Sequence, residues 1–120
     1  MTSQQRGNMG ETRAIDFLQQ LGYTIHKRNY RIRGAEIDII AQDHDTLVFV
    51  EVKLRSALAW VGSLEAVAPA QCRRIYQAAA HYIQQHGWEG ACRFDVVALT
   101  MSAGGACQIE HIPAAFEVDS

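Results

Sequence analysis

Apolar residues recur at helical spacing near the start of the chain, in the first of two predicted helices. In the first, over residues 6–21, the positions Ala14, Leu18 and Leu21 recur along one face, which predicts an amphipathic helix. The second predicted helix is longer and covers roughly residues 64–86. A glycine directly follows each stretch, in the position that commonly ends a helix.

Between and after these helices, apolar runs bounded by polar turns predict strands. The predicted strands cover residues 23–32, 34–42, 47–55, 93–101 and 106–112. The order α-β-β-β-α-β-β predicts a mixed sheet flanked by helices, in the α/β or α+β class. Arg93 and Asp95 share one face of the fourth predicted strand. This arrangement favours a structural salt bridge between them over a contact of either residue with a functional site.

Composition narrows the class of protein only slightly. With 120 residues the chain is expected to form one domain, residues 1–120. Hydrophobic residues make up 48% and charged residues 20%, which is ordinary for a soluble globular protein. No apolar stretch approaches the length of a membrane span, and the first residues lack the apolar segment of a secretory signal. A cytoplasmic protein that does not associate with a membrane is therefore expected.

The net charge of −2 conceals an uneven distribution of charge. Lys27, Arg28, Arg31 and Arg33 cluster just before the second predicted strand. Such a cluster can bind nucleic-acid phosphates. It can equally be the solvated face of a strand, and the charge pattern alone leaves both interpretations open.

Charged residues interrupt two of the predicted apolar strands: Asp38 the second, and Glu51 and Lys53 the third. Because side chains alternate along a strand, Asp38 is expected to share a face with Glu36 and Ile40. Carboxylates in apolar strands cost free energy unless something pairs them. A divalent cation that activates water at a phosphodiester would account for all three interruptions, so the pattern predicts a metal-dependent nuclease centre.

The polar turn at residues 43–46 allows the pairing of these two strands to be predicted. If the turn is symmetric, Asp38 lies opposite Glu51, and Glu36 lies opposite Lys53. Opposed side chains have Cβ atoms roughly 4.5–5.5 Å apart, so the carboxylates would repel each other unless Mg²⁺ or Mn²⁺ bound between them. Lys53 would then stabilise charge on a phosphate or orient the attacking water. The alternative is a Glu36–Lys53 salt bridge on a solvated face.

A further carboxylate, Glu11, lies on the first predicted helix. It precedes the apolar stripe by one helical turn, which places it on or beside the face that packs on the core. From there it can reach the sheet and join Asp38 and Glu51 as a metal ligand or as a residue that holds water. The alternative is a partly exposed glutamate that pairs with Arg6 or Arg13.

Six short blocks of sequence resemble a known family. They are Gly10-Glu11 with Ala14, Gly22-Tyr23, Asn29 with Arg31, Glu36-Ile37-Asp38, Phe49-Val50-Glu51-Val52-Lys53 with Arg55, and Arg93-Phe94-Asp95-Val96-Val97. Over roughly residues 6–112 the chain resembles the YraN-like family of uncharacterised bacterial proteins, within the restriction-endonuclease-like PD-(D/E)XK superfamily. An isolated D…ExK pattern occurs in many unrelated strands, whereas the ordered set of blocks is specific for the family.

The resemblance implies an α-β-β-β-α-β core like that of Holliday-junction resolvases and restriction enzymes. It places Asp38, Glu51 and Lys53 at the catalytic positions of the superfamily, and Glu11 at a helix carboxylate found in several members.

Two residues depart from the family's pattern. Ala35 stands where the family usually has glycine, directly before the Glu-Ile-Asp block. Gln71 stands where a lysine is common, at the start of the long helix. Glutamine cannot supply a positive charge, but it can hydrogen-bond a phosphate or a water molecule, and related nucleases also use glutamine near this point.

Taken together, these patterns predict a nuclease that hydrolyses phosphodiester bonds in DNA, including branched DNA, or in RNA, with Mg²⁺ or Mn²⁺. Asp38, Glu51 and the Val52 carbonyl would hold the metal, Glu11 would assist, and Lys53 would position the nucleophile. The predicted phosphate contacts are Arg31, Arg33, Arg55 and Gln71. A branched substrate would favour a homodimer, because two cuts need two sites. The alternative is a non-catalytic module that keeps the fold and binds nucleic acid or a protein partner.

Overall fold

The computed structural model of the protein describes residues 3–56, 69–102 and 104–116, with side chains from residue 8 to residue 54 in the first range. The helices and strands are α1 (Ser3–Gln20), β1 (Thr24–Ile32), β2 (Ala35–Asp43), β3 (Thr46–Ser56), α2 (Pro69–His86), β4 (Ala91–Met101) and β5 (Cys107–Phe116). This order of elements is the predicted one. The first residues of the second predicted helix, 64–68, lie outside the described residues.

All five strands form one mixed sheet in the order β1-β2-β3-β4-β5. β3 and β4 are parallel, and every other neighbouring pair is antiparallel. A parallel pair requires a crossover connection, and the segment that contains α2 supplies it. The prediction of an α/β fold with a mixed sheet and flanking helices is confirmed, and the arrangement is consistent with a restriction-endonuclease-like fold.

The two helices cover the sheet with separate apolar clusters. On the α1 side, Ala14 and Leu18 are fully buried against side chains of β2, β3 and β4. On the α2 side, Ile75, Ala78 and Tyr82 are buried against β2, β3 and β4. Each large apolar side chain that is fully buried stabilises the fold by about 1.5–3 kcal/mol. Neither helix, over its described residues, is long and apolar enough to cross a membrane.

α1 ends one residue earlier than predicted. Gly22 has a φ of 94°, its amide donates to the carbonyl of Gln19, and the amide of Tyr23 donates to the carbonyl of Leu18. These are the two hydrogen bonds of a Schellman motif. Since the helix ends before Leu21 can turn toward the sheet, that side chain is 51% exposed, and the prediction that it lies on the core face is wrong.

β5 continues to Phe116, beyond the predicted range 106–112. Pro113 is tolerated because β5 is an edge strand, where a missing amide need not break the ladder. Ala114 follows with a φ of 52°, and its amide donates to Asp95 at 3.0 Å. This irregular end of the strand lacks the alternation of polar and apolar residues on which the prediction relied.

The Asp95 carboxylate is fully buried and connects several strands. Arg93 donates to its two oxygens at 2.8 and 3.0 Å and also to the Tyr23 hydroxyl at 2.7 Å, and the His111 ring lies 2.7 Å from the carboxylate. Burial alone would raise the pKa of Asp95, but the hydrogen bonds from His111, Arg93 and the Ala114 amide lower it below its usual value. The predicted Arg93–Asp95 salt bridge is confirmed.

Replacing Asp95 by alanine is expected to lower the free energy of unfolding by about 3–5 kcal/mol, because it leaves Arg93 and the Ala114 amide without their buried partner. Urea denaturation measures the change. The matched control is Glu110→Ala, which removes an exposed carboxylate from the neighbouring strand and is expected to change the free energy by less than about 0.5 kcal/mol. Equal losses in the two variants would contradict a structural role for the network.

Candidate functional site

The β2–β3 hairpin brings the predicted carboxylates together. Its ladder follows the predicted symmetric register from the turn as far as the pair Ile39↔Val50. His44 supplies the left-handed residue of the two-residue turn, with a φ of 53°. Regular pairing ends at Ile39, so Asp38 and Glu51 are neighbours across the hairpin without being ladder partners.

The strand is irregular at Asp38 itself. Ile37 packs in the cluster under α2, whereas Ile39, two residues later, packs in the cluster under α1. In a regular strand these two side chains would share a face, so the alternation from which the site was predicted does not hold through Asp38. On β1, Asn29 has a φ of 53° and lies between Arg28 and Tyr30, which pair with Ile39 and Ile37. The Asp38 carboxylate accepts a hydrogen bond from the Val52 amide at 2.8 Å.

The carboxyl groups of Asp38 and Glu51 are partly buried, and they lie close enough for each to shift the pKa of the other. Only 11% of the Glu51 side chain is exposed. Burial, the largest cause, raises the pKa of Asp38 to about 6. Burial and the neighbouring Asp38 charge raise the pKa of Glu51 to about 8. Near neutral pH, therefore, the pair holds about one proton between its two carboxyl groups.

Gln71, near the start of α2, connects Glu51 to Lys53. Its Nε2 donates to Glu51 Oε1 at 2.6 Å, and its Oε1 accepts from Lys53 Nζ at 3.0 Å. Lys53 Nζ also lies 4.0 Å from Glu51 Oε1. A lysine at position 71 could donate to Glu51 but could not accept from Lys53. In this conformation the side chain that was predicted to contact a phosphate instead orients Glu51 and Lys53.

Glu11 lies near Asp38, but the Glu11 carboxylate forms a salt bridge with Arg28 of β1. Arg28 Nε donates to Glu11 Oε1 at 3.3 Å, and its Nη2 donates to the Asn8 carbonyl at 2.7 Å. Burial is the largest cause of the raised pKa of Asp38, and the nearby charge of Glu11 adds to it. Within the described ranges, no three His, Cys, Asp or Glu side chains form a metal-binding group. A metal-ligand role for Glu11 therefore stays a prediction.

The other predicted phosphate contacts differ in how they are engaged. Arg31 Nε lies 2.8 Å from Glu36, and both side chains are exposed. Arg33 is exposed in the turn between β1 and β2. The side chain of Arg55 lies outside the described residues. The alternative Glu36–Lys53 salt bridge is absent from the described ion pairs, because Glu36 pairs with Arg31 instead.

Arg74 is a basic residue of this site that was not predicted from the sequence. A pocket of about 210 Å³ adjoins Glu51 and is lined by Glu36, Gln71, Arg74 and Ile75 as well. Arg74 follows Gln71 by three residues, a spacing that places two side chains side by side on a helix. Helical spacing from Gln71 would therefore have identified it.

Asp38 and Glu51 form a donor set that suits Mg²⁺ or Mn²⁺. Mg²⁺ binds one or two carboxylates and completes its coordination with water and phosphate oxygens, so it does not need a third protein carboxylate. A divalent cation between the two groups would remove the repulsion that otherwise keeps a proton in the pair. The backbone of Val52 lies beside Asp38, and its carbonyl remains a predicted third ligand.

The raised pKa values predict how stability depends on pH without metal. Above about pH 4 the folded protein binds more protons at Asp38 and Glu51 than the unfolded chain does, so its free energy of unfolding falls as pH rises toward about 8. Asp38→Asn removes the repulsion and can still accept from the Val52 amide. We expect it to raise the free energy of unfolding by about 1–2 kcal/mol near pH 8 and by less near pH 5.

Urea denaturation in the presence of a chelator measures this difference. The matched control is Asp16→Asn, because Asp16 is exposed on α1 and its substitution should change stability little at either pH. A lower stability of Asp38→Asn at both pH values would show that the charge of Asp38 is not a source of repulsion.

Comparison with known proteins identifies the family. The model of the uncharacterised protein family UPF0102, the YraN family, matches residues 10–99. A UPF0102 protein of Cupriavidus pinatubonensis is 42% identical over 120 residues, which covers 99% of this chain and 91% of the relative. A UPF0102 protein of Dichelobacter nodosus is 46% identical over 101 residues, covering 83% and 80%. The family predicted from the sequence blocks is thereby confirmed, and the chain belongs to UPF0102.

Proposed function

We propose that this chain is a metal-dependent nuclease of the restriction-endonuclease-like superfamily, with Asp38 and Glu51 as the carboxyl ligands of Mg²⁺ or Mn²⁺. The observation that supports this most strongly is the partly buried, proton-sharing contact between these two groups beside Lys53. Titratable groups with strongly perturbed pKa values are concentrated at functional sites. A strand without a function would be more stable with an uncharged residue at either position.

The side chains around the carboxyl pair have separate roles in the proposed reaction. A bound metal would lower the pKa of water and polarise a phosphoryl oxygen. The Val52 amide fixes the Asp38 carboxylate, and the Gln71 amide fixes Glu51. Gln71 also holds the Lys53 ammonium within 4.0 Å of Glu51, where its charge stabilises negative charge on the phosphate or orients the attacking water.

Exposed basic residues on the β1 side support nucleic acid as the partner. Lys27, Arg31 and Arg33 are all exposed on β1 or the turn that follows it. Basic side chains on one strand and its turn can neutralise successive phosphates, with affinity that falls as salt rises. The proposed substrates are DNA, including branched DNA, and RNA, and a homodimer is expected for a branched substrate.

Cleavage assays test the proposal. The purified protein is incubated with duplex, single-stranded and branched DNA and with RNA, in Mg²⁺, Mn²⁺ or a chelator. We expect cleavage of at least one substrate, dependent on the metal. Glu51→Gln and Lys53→Met should each lower the rate by about 100-fold or more, while nucleic-acid binding is retained. The first removes a proposed carboxyl ligand of the metal, and the second removes the positive charge beside the reacting phosphate.

Glu110→Gln is the matched control, because it neutralises an exposed carboxylate of β5 and should leave the rate unchanged. If the wild-type protein leaves every substrate intact in both metals, or if Glu51→Gln cleaves as fast as wild type, the nuclease proposal fails. Binding without cleavage would favour the alternative of a non-catalytic nucleic-acid-binding module.

A further inference from the structure

The pocket beside Glu51 opens between β2 and α2. Glu36 of β2 forms one wall, Arg74 and Gln71 of α2 form the other, and Ile75 adds an apolar surface. Of the residues in this pocket, only Glu51 and Gln71 belong to the hydrogen-bonded group around Lys53. The pocket is therefore an extension of the proposed reaction centre.

Both acidic residues of the pocket have basic or amide partners of their own. Glu36 lies 2.8 Å from Arg31 Nε. Glu51 accepts from Gln71 at 2.6 Å and lies 4.0 Å from Lys53. These contacts offset the repulsion that an anion entering the pocket would otherwise meet from the two acids.

Arg74 has no such partner within the described part of the chain. Its Nε donates to the Ala70 carbonyl of its own helix at 3.4 Å, and none of the ion pairs among the described residues includes it. The guanidinium is exposed and can present its other donors to a ligand. A guanidinium binds a phosphate through two parallel hydrogen bonds, a geometry that an ammonium cannot reproduce.

We infer that Arg74 binds a phosphate of the nucleic-acid backbone next to the phosphate held at the Asp38–Glu51 pair. This assignment of Arg74 rests on the proposed function. The contact gives the substrate strand a path over the pocket between β2 and α2. Gln71 cannot take this role in the observed conformation, because both ends of its amide are used by Glu51 and Lys53. Contact with a phosphate fixes the position of the strand without reading its sequence.

Anisotropy titrations of labelled single-stranded, duplex and branched DNA, made in the Glu51→Gln background with Mg²⁺, measure this contact without cleavage. Arg74→Ala should weaken binding on the order of ten-fold to a hundred-fold. It should also reduce the slope of log K against log salt by the value of one phosphate contact, about 0.9 for duplex DNA and about 0.7 for single-stranded DNA. Arg74→Lys should retain the salt dependence but recover only part of the affinity.

Arg73→Ala is the matched control. It removes the same charge from the adjacent exposed position, which does not line the pocket, and should weaken binding much less. Equal effects of Arg74→Ala and Arg73→Ala would overturn the inference while leaving the proposed function standing. If neither the Glu51→Gln protein nor the wild-type protein in a chelator binds any of the probes, both the inference and the proposed nucleic-acid function fail.

Discussion

The close approach of the partly buried carboxyl groups of Asp38 and Glu51 is the interaction on which the proposed chemistry depends. Two carboxylates cannot both be ionised at this distance without a large cost, so the pair needs a proton or a cation. Burial increases that cost, because it penalises the charged forms. A fold that retains such a pair needs other interactions that offset this destabilisation.

The apolar clusters on the two faces of the sheet provide the stabilisation that offsets the carboxyl pair. β2 and β3 are held between α1 and α2, and Ile39, Phe49 and Val50 are almost fully buried. Ile39 directly follows Asp38, and Phe49 and Val50 directly precede Glu51. The packed part of the hairpin therefore determines where the two carboxyl groups lie. The regular ladder ends where the pair begins, which frees Asp38 to accept from the Val52 amide.

Local sequence patterns predicted the features that depend on neighbouring residues. The symmetric turn at His44 gave the register of the hairpin as far as Ile39, and helical spacing gave the buried positions Ala14 and Leu18 of α1. The patterns did not predict the partners of Gln71, Glu11 or Arg74, because those contacts join residues on different elements. The reach of Arg28 from β1 to Glu11 depends on how α1 is placed against the sheet, which periodicity does not encode.

Titration with Mg²⁺ at neutral pH tests whether Asp38 and Glu51 bind a metal, with carboxyl carbon NMR and proton release as the two readouts. We expect release of about one proton per chain as the metal displaces the shared proton, with shifts concentrated at Asp38 and Glu51. Asp38→Asn should largely abolish the release. No proton release, or shifts spread equally over exposed carboxylates such as Asp16 and Glu89, would contradict the assignment of this pair as a metal-binding centre.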